Sequence, residues 1–397
     1  MKTEALAIDG GAPVRATRLP LHKPWFDECE QRAMLDVLAG THVAGDGAKG
    51  RELEQLLRES TGARGVLVLN SCTAALEIAI QVAGLGPGDE VILPSFTFVS
   101  TANAVMKSGA RPVFADADPV TLGLDPRDAA RRITGRTRAI LPMHYAGMGC
   151  DMDALMALAS QHGLIVIEDA AHAVNARCSQ GALGAVGALG ALSFHETKDL
   201  VCGEGGALLV RDDDRYLHAA EILREKGTDR TAFLRGEIDK YTWVGLGSSY
   251  VLSELLAAVA VEQFRKLPEI TRRKTAQAEG LLAALAPFQA AVQLPGVPAG
   301  CRPNWHVFAV LVDPARRDWV MRALRAEGVS AAFHYVPLHS APYARQSPEI
   351  AQVELPVTDR VAASLVRLPI SAAFTEAEIE DVNRGCTKVF ARLVEGG

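Results

Sequence analysis

Five short β-branched runs punctuate the stretch from Gly65 to Ala170: "GVLVLN", "EVILPS", "RPVFAD", "TRAILPMHY" and "LIVIEDA". Between them lie "SCTAALEIAIQVAGL", "FVSTANAVMKSG", "DPRDAARRI" and "CDMDALMALASQHG", in which apolar residues recur at helical spacing. Strands alternating with helices in this way predict an α/β unit, its mostly parallel sheet covered on both faces. "ALSFH" and "GGALLVRD" follow with a short link. A parallel crossover needs a dozen residues or more, so this pair predicts a hairpin-like addition to the sheet. Beyond Ser253 the pattern predicts a long helical region interrupted near Pro268, and "PGVPAG" (295–300) reads as turn. "NWHVFAVLVD", the helix-like "RRDWVMRALRAEG" and "SAAFHYVPL" then predict a smaller α+β unit closed by a C-terminal helix. The expected division is a large unit over 1–255, with an N-terminal arm, and a smaller one over 256–397.

Composition narrows the class. Of the 397 residues 49% are hydrophobic and 22% charged, ordinary for a globular chain with a large core. Net charge is −6 and no basic run appears, which argues against nucleic acid as a partner. Seven scattered cysteines without ligand spacing predict free thiols in a reducing compartment. The first twenty residues lack the apolar core of a signal peptide, and no apolar run is long enough for a membrane span. The expected location is the cytoplasm.

Ligands of open parallel sheets gather at the carboxyl ends of the strands. The first strand ends in "NSCTAALEIAI", where Ser71, Cys72 and Thr73 open a helix. Its free N–H groups and dipole suit a phosphate, although such residues more often only cap their own helix. The second ends in "PSFTFVST", with Phe96 and Phe98 available to stack on a flat cofactor or to fill the core. The fifth ends in "IEDAAH", with Glu168, Asp169 and His172. Acids closing an apolar strand need a cationic or hydrogen-bonding partner. A metal is the weaker candidate, because no second ligand cluster is present. Lys198 follows in "ALSFHETKDL", five residues after Ser193. A phosphate cradle, a stacking ring, a strand-end acid and a lysine, in this order, suit pyridoxal 5'-phosphate. That cofactor takes a lysine as its covalent anchor and an acid to keep its ring nitrogen protonated. His339 in "YVPLH" is read either as a substrate contact or as a turn residue. In "DKYTW", Lys240 and Tyr241 suit a nucleotide diphosphate or, equally, a subunit interface.

From about Pro20 almost to the end, the chain resembles the nucleotide-sugar aminotransferases of the DegT/DnrJ/StrS type. The resemblance is carried by "GPGDEVILPSFTFVSTANAV", "MHYAGMGCDMDALMALASQHGLIVIEDAAHA", "GALSFHETKDLVCGEGGALL" and "YVPLH". It implies an aspartate-aminotransferase-like fold (fold type I of the pyridoxal phosphate enzymes) and a homodimer with shared active sites. It also implies a reaction between L-glutamate and a nucleotide-linked keto sugar. "REKGTDR" and "RGEIDKYTWVGLGSSY" resemble the branch that aminates C4 of dTDP-4-keto-6-deoxy-D-glucose. Carried over, Lys198 would hold the cofactor, Asp169 its ring nitrogen, Phe98 its face and His172 its phenolic oxygen. Cys72, Thr73 and Ser193 would hold the phosphate. Ser249, in "GSSYV", stands where many relatives place an asparagine that reaches into the partner's site, which puts its phosphate role in doubt. The "HETK" run keeps the lysine, which sets aside a dehydratase branch that has histidine there.

Overall fold

The computed structural model describes residues 4–395. Helices α1 (Glu28–Ala39) and α2 (Ala48–Thr61) lead into the alternating region. This comprises β1 (Gly65–Leu69), α3 (Cys72–Val82), β2 (Glu90–Pro94), α4 (Val99–Lys107), β3 (Arg111–Ala115), α5 (Pro126–Arg131), β4 (Thr137–Ile140), α6 (Met152–His162) and β5 (Ile165–Asp169). A small hairpin, β6 (Arg177–Cys178) and β7 (Gly181–Ala182), precedes β8 (Leu189–Ser193) and β9 (Gly206–Val210). Helices α7 (Asp214–Arg224) and α8 (Arg230–Leu234) come next, then the long α9 (Glu254–Leu285). The chain finishes with β10 (Val292–Gln293), β11 (Phe308–Val312), α10 (Pro314–Ala326), α11 (Pro342–Gln346), α12 (Pro356–Ser364), β12 (Leu365–Leu368) and α13 (Glu376–Glu395).

The seven-stranded sheet has the order β1-β9-β8-β5-β4-β2-β3. β8, β5, β4, β2 and β3 run parallel, and β9 is antiparallel to both β8 and β1, so the expected hairpin forms. Side chains alternate across a strand, and here both faces are buried. Val66 and Val68 pack with Leu57, Leu155 and Val261 from α2, α6 and α9. Leu67 and Leu69 pack with Leu76, Val105 and Ala220 from α3, α4 and α7. That two-sided burial explains why the strands read as continuous apolar runs.

Two expectations are corrected. Helix α9 runs through Pro268 without interruption. Proline removes one helical hydrogen bond, but burial of Val261, Leu267 and Ile270 on either side holds the turn together. The run 330–338 forms no strand; Ala332 makes one bridge to Arg367, and the third strand of the small sheet is β12. Tyr335, at φ +46°, breaks the extended path. The small antiparallel sheet β10-β11-β12 packs on α10, α13 and the second half of α9 through Val310, Leu324, Phe390 and Leu281. Leu6 and Leu19 of the N-terminal arm are buried in this cluster as well. The first half of α9, placed in the smaller unit by the expected division, packs in the large-sheet core through Ala257, Val259 and Leu267.

Candidate active site

A cavity of about 750 Å³ lies at the carboxyl ends of β1, β2, β5 and β8, roofed by residues of the small sheet. Cys72, Thr73, Phe98, Asp169, His172, Ser193 and Lys198 all line it.

The floor begins at the start of α3. Ser71 is extended, and its hydroxyl accepts the Ala74 amide at 3.1 Å, so it serves as the cap. The amides of Cys72 and Thr73, in the first turn, have no partner one helical turn back. The Thr73 hydroxyl sits 2.8 Å from that of Ser100. β9 starts against this turn at Gly206, where a Cβ would lie 2.4 Å from the Cys72 nitrogen and 2.6 Å from the Leu192 carbonyl oxygen. Only glycine lets the strand approach the cradle so closely.

Strand alternation separates the two acids of β5. Glu168 is consumed structurally: it pairs with His144 at 2.8 Å and accepts the amides of Gly184, Val186 and Gly187 at 2.6–2.8 Å. Asp169 faces the cavity, accepting from the Thr101 hydroxyl at 2.7 Å and the Ala171 amide at 3.1 Å. Burial raises its pKa, opposed by those two hydrogen bonds and by Lys198. Its carboxylate is therefore arranged to receive one further cation.

Lys198 stands in the link between β8 and β9, its amide donating to the His195 carbonyl at 2.9 Å. Burial lowers its pKa, against the pull of Cys72 and Asp169. A desolvated lysine is the more readily deprotonated, hence nucleophilic, lysine.

Aromatic and imidazole rings form the remaining wall. Phe96 packs beneath Tyr145 and Tyr335, at centroid distances of 5.1 and 5.6 Å. Phe98 is 55% exposed at the mouth and 6.4 Å from Tyr335. His172 Nδ1 accepts the Ala146 amide at 3.3 Å, which leaves the proton on Nε2, facing the Tyr335 hydroxyl at 3.2 Å. His306 packs 4.3 Å from His172, and His334 stacks on Tyr335 at 3.8 Å. Burial pushes His22, His172, His306 and His334 below the usual imidazole range, with nearby Lys198, Lys274 and Arg367 reinforcing it.

Four predicted residues stand outside the cavity. His339 is buried, sharing Nδ1 with the Ser95 hydroxyl at 2.8 Å and facing Asp359 at 3.4 Å, so it is not an exposed turn residue, and it does not line the cavity. Lys240, Tyr241 and Ser249 lie on an exposed segment away from the lining. His22, Thr101, His306, His334, Tyr335 and Arg367 were not anticipated. The signal for Arg367 was a charge inside the apolar run "SLVRLPI"; for three others it was the imidazoles and phenol in "NWHVF" and "FHYVP".

An amine and a carboxylate facing one cavity, above an anion-holding helix start, fit pyridoxal phosphate. Comparison with known proteins agrees, since residues 25–386 match the DegT/DnrJ/EryC1/StrS aminotransferase family. The chain belongs to that family. It is a sugar aminotransferase dependent on pyridoxal phosphate. The chain is 33% identical over 377 residues to the spore coat polysaccharide biosynthesis protein SpsC of Bacillus subtilis (strain 168), spanning 92% of this chain and 95% of SpsC. Among solved structures it is similar to the aminotransferase TlmJ from Streptoalloteichus hindustanus, with 31% identity and a TM-score of 0.86 over 95% of this chain and 100% of that one. DesV of S. venezuelae superposes equally well, at 31% identity and a TM-score of 0.86, over 94% of this chain and 98% of that one. The fold is accordingly that of the fold type I aminotransferases.

Proposed function

We propose that this aminotransferase moves an amino group from L-glutamate to C4 of dTDP-4-keto-6-deoxy-D-glucose, giving dTDP-4-amino-4,6-dideoxy-D-galactose for surface polysaccharide or deoxyaminosugar synthesis in the cytoplasm. The observation that carries the catalytic part is the convergence of Lys198 and Asp169 on one cavity beside the start of α3. The choice of sugar rests on the resemblance in "REKGTDR" and "RGEIDKYTWVGLGSSY".

When bound, the cofactor supplies an electrophilic carbonyl carbon and an electron sink. In this reading Asp169 keeps the ring nitrogen protonated, and its own buried charge is answered in return. Cys72 and Thr73, through their amides, and Ser193 hold the phosphate. Phe98 and His172 fix the ring's orientation. Lys198, beside the reacting carbons, would take a proton from the donor's Cα and later give one to the sugar's C4. Its lowered pKa favours the first of these steps.

The active form is a homodimer in this reading. Trp243 and Leu246 are 74% and 82% exposed, beside exposed Tyr241 and Val244. An apolar run so open to water supports a role in an interface, where Lys240, Tyr241 and Ser249 would reach the partner's cavity. The substrate is tested by mixing the amine-loaded enzyme with a panel of keto nucleotide sugars and following single-turnover return of the cofactor's original absorbance. Response to dTDP-4-keto-6-deoxy-D-glucose is expected. A response confined to a 3-keto or UDP-linked sugar refutes the assignment.

A further inference from the structure

The small hairpin β6-β7 meets the chain leading into β11 through a reciprocal pair of backbone hydrogen bonds. The Arg177 amide donates to the Arg302 carbonyl at 3.0 Å, and the Arg302 amide donates to the Arg177 carbonyl at 2.8 Å. Two residues that exchange both bonds set an antiparallel register, which puts Cys178 opposite Cys301 as the neighbouring pair. Gly300 continues that register: a Cβ there would lie 3.3 Å from the Ser179 Cβ. Side chains alternate along an extended chain. Both arginines are accordingly exposed, whereas Cys178 is buried and Cys301 half-buried. The two cysteines converge on Gly149, where an added Cβ would lie 3.3 Å from the Cys301 Sγ and 3.6 Å from the Cys178 Cβ. Both thiols are free. The nearby Cys150 is committed elsewhere, its thiol donating to the Met143 carbonyl at 3.3 Å.

A pair beside a doubly bonded one is the narrow kind, with Cα atoms about 4.5 Å apart. A disulfide accepts Cα separations of about 4.4–6.8 Å, so these two sulfurs can bond with little backbone movement. We propose that Cys178 and Cys301 are an oxidisable pair whose disulfide ties the roof of the cavity to the large-sheet unit. The oxidant is a peroxide. The Cys301 thiolate attacks one peroxide oxygen, the O–O bond breaks, and a sulfenic acid and one water result. The Cys178 thiolate then attacks the Cys301 sulfur, the S–S bond forms, and hydroxide leaves and is protonated to a second water. The two thiols lose two electrons and two protons in all, and the peroxide gains them. In a reducing compartment the pair rests as thiols, and a dithiol reverses the step. Burial and the Cys178 thiol raise the Cys301 pKa, so proximity favours the bond more than thiolate abundance does. The bond falls just before Asn304, which donates to the His172 and Val174 carbonyls at 2.9 and 2.8 Å and accepts the His306 amide at 3.0 Å. It therefore joins β6 to the segment that delivers His306 to the cavity wall.

Holoenzyme freed of reductant is treated with hydrogen peroxide, raised until the exposed Cys29 is oxidised. Remaining thiols are alkylated, the protein is digested without reduction, and the peptides are mapped by mass spectrometry. Melting is followed before and after oxidation. The expected product is an intrachain linkage of the Cys178 and Cys301 peptides that dithiothreitol cleaves. The Tm is expected to rise by about 3–5 °C, the shift a long-loop disulfide gives a chain of this size. Cys301→Ser should give no linked peptide and no peroxide-dependent rise in Tm, with the activity of the reduced wild type. Recovery of both cysteines as free thiols overturns the proposal. So does linkage of either one to Cys150 or Cys29, or oxidation of Cys301 to a sulfinic acid with Cys178 left free. A linked pair with an unchanged Tm overturns the tie between the two units. Should Cys301→Ser fail to fold, the wild-type peptide map and melting curves decide alone.

Discussion

Lys274→Met tests how the segment carrying Lys198 is held. Asp199, the next residue, is paired with Lys274 of α9, with side chains 2% and 1% exposed. Lys274 also donates to the His306 carbonyl at 3.2 Å. The second carboxylate oxygen, Oδ2, has no hydrogen-bond partner among the described residues, and His306 Nδ1 stands 3.7 Å from it. Removing the ammonium therefore leaves a buried carboxylate with no donor. Breaking such a pair costs about 3–5 kcal/mol. At roughly 2.1 cal/mol/K per residue, the unfolding entropy of 397 residues is about 0.8 kcal/mol/K. The expected fall in Tm is about 4–6 °C, for a chain that melts as one unit. In the wild type, burial opposes ionisation of Asp199, but Lys274 overrides it and holds the pKa below the usual carboxylate range. That contribution is present above the unfolded pKa of about 3.9 and disappears as pH falls through the folded value. Without Lys274 only His306 still opposes burial, so the pKa rises from its wild-type position and the gap to wild type is expected to be wider at pH 8 than at pH 5. Adding Asp199→Asn should restore most of the loss. Melting curves at the two pH values decide the matter. A Lys274→Met variant within about 1 °C of wild type at pH 8, or a double variant no better than the single, refutes the reasoning.

Lys198→Ala should lose the cofactor's characteristic visible absorbance and slow turnover by at least about 100- to 10,000-fold, the share usual for a positioned acid-base group; spectra and steady-state assays read both. Gly206→Ala drives a methyl group onto the Cys72 amide, so weaker cofactor binding and a loss of about 1–3 kcal/mol are expected, measured by cofactor titration and denaturant unfolding. Leu246→Asp should shift the protein to monomer in analytical ultracentrifugation and depress activity; an unchanged dimer removes the 240–249 segment from the interface.

Much of the large unit was legible because its strands are buried on both faces and its helices on one, which leaves unmistakable periodicities from Gly65 to Val210. The residues that close the strands, Cys72, Phe98, Asp169, His172 and Ser193, could be found because an open sheet gathers its ligands at one edge. Lys198 was found by its order in the chain after them. The roof was harder to read. His306, Tyr335 and Arg367 come from a small sheet whose packing against the large one follows no local pattern, and Tyr335 enters the wall through a left-handed backbone that the run "SAAFHYVPL" does not announce. His339 misled for a related reason: the turn is where the sequence puts it, but the ring turns inward to Ser95 instead of toward the cavity.

The uncharged histidines of the wall bear on how acidity controls this enzyme. Depressed to about 4 for His22 and about 3 for His306, they do not change protonation between pH 5 and 8. A rate profile recorded across that interval should therefore carry no inflection from His22 or His306.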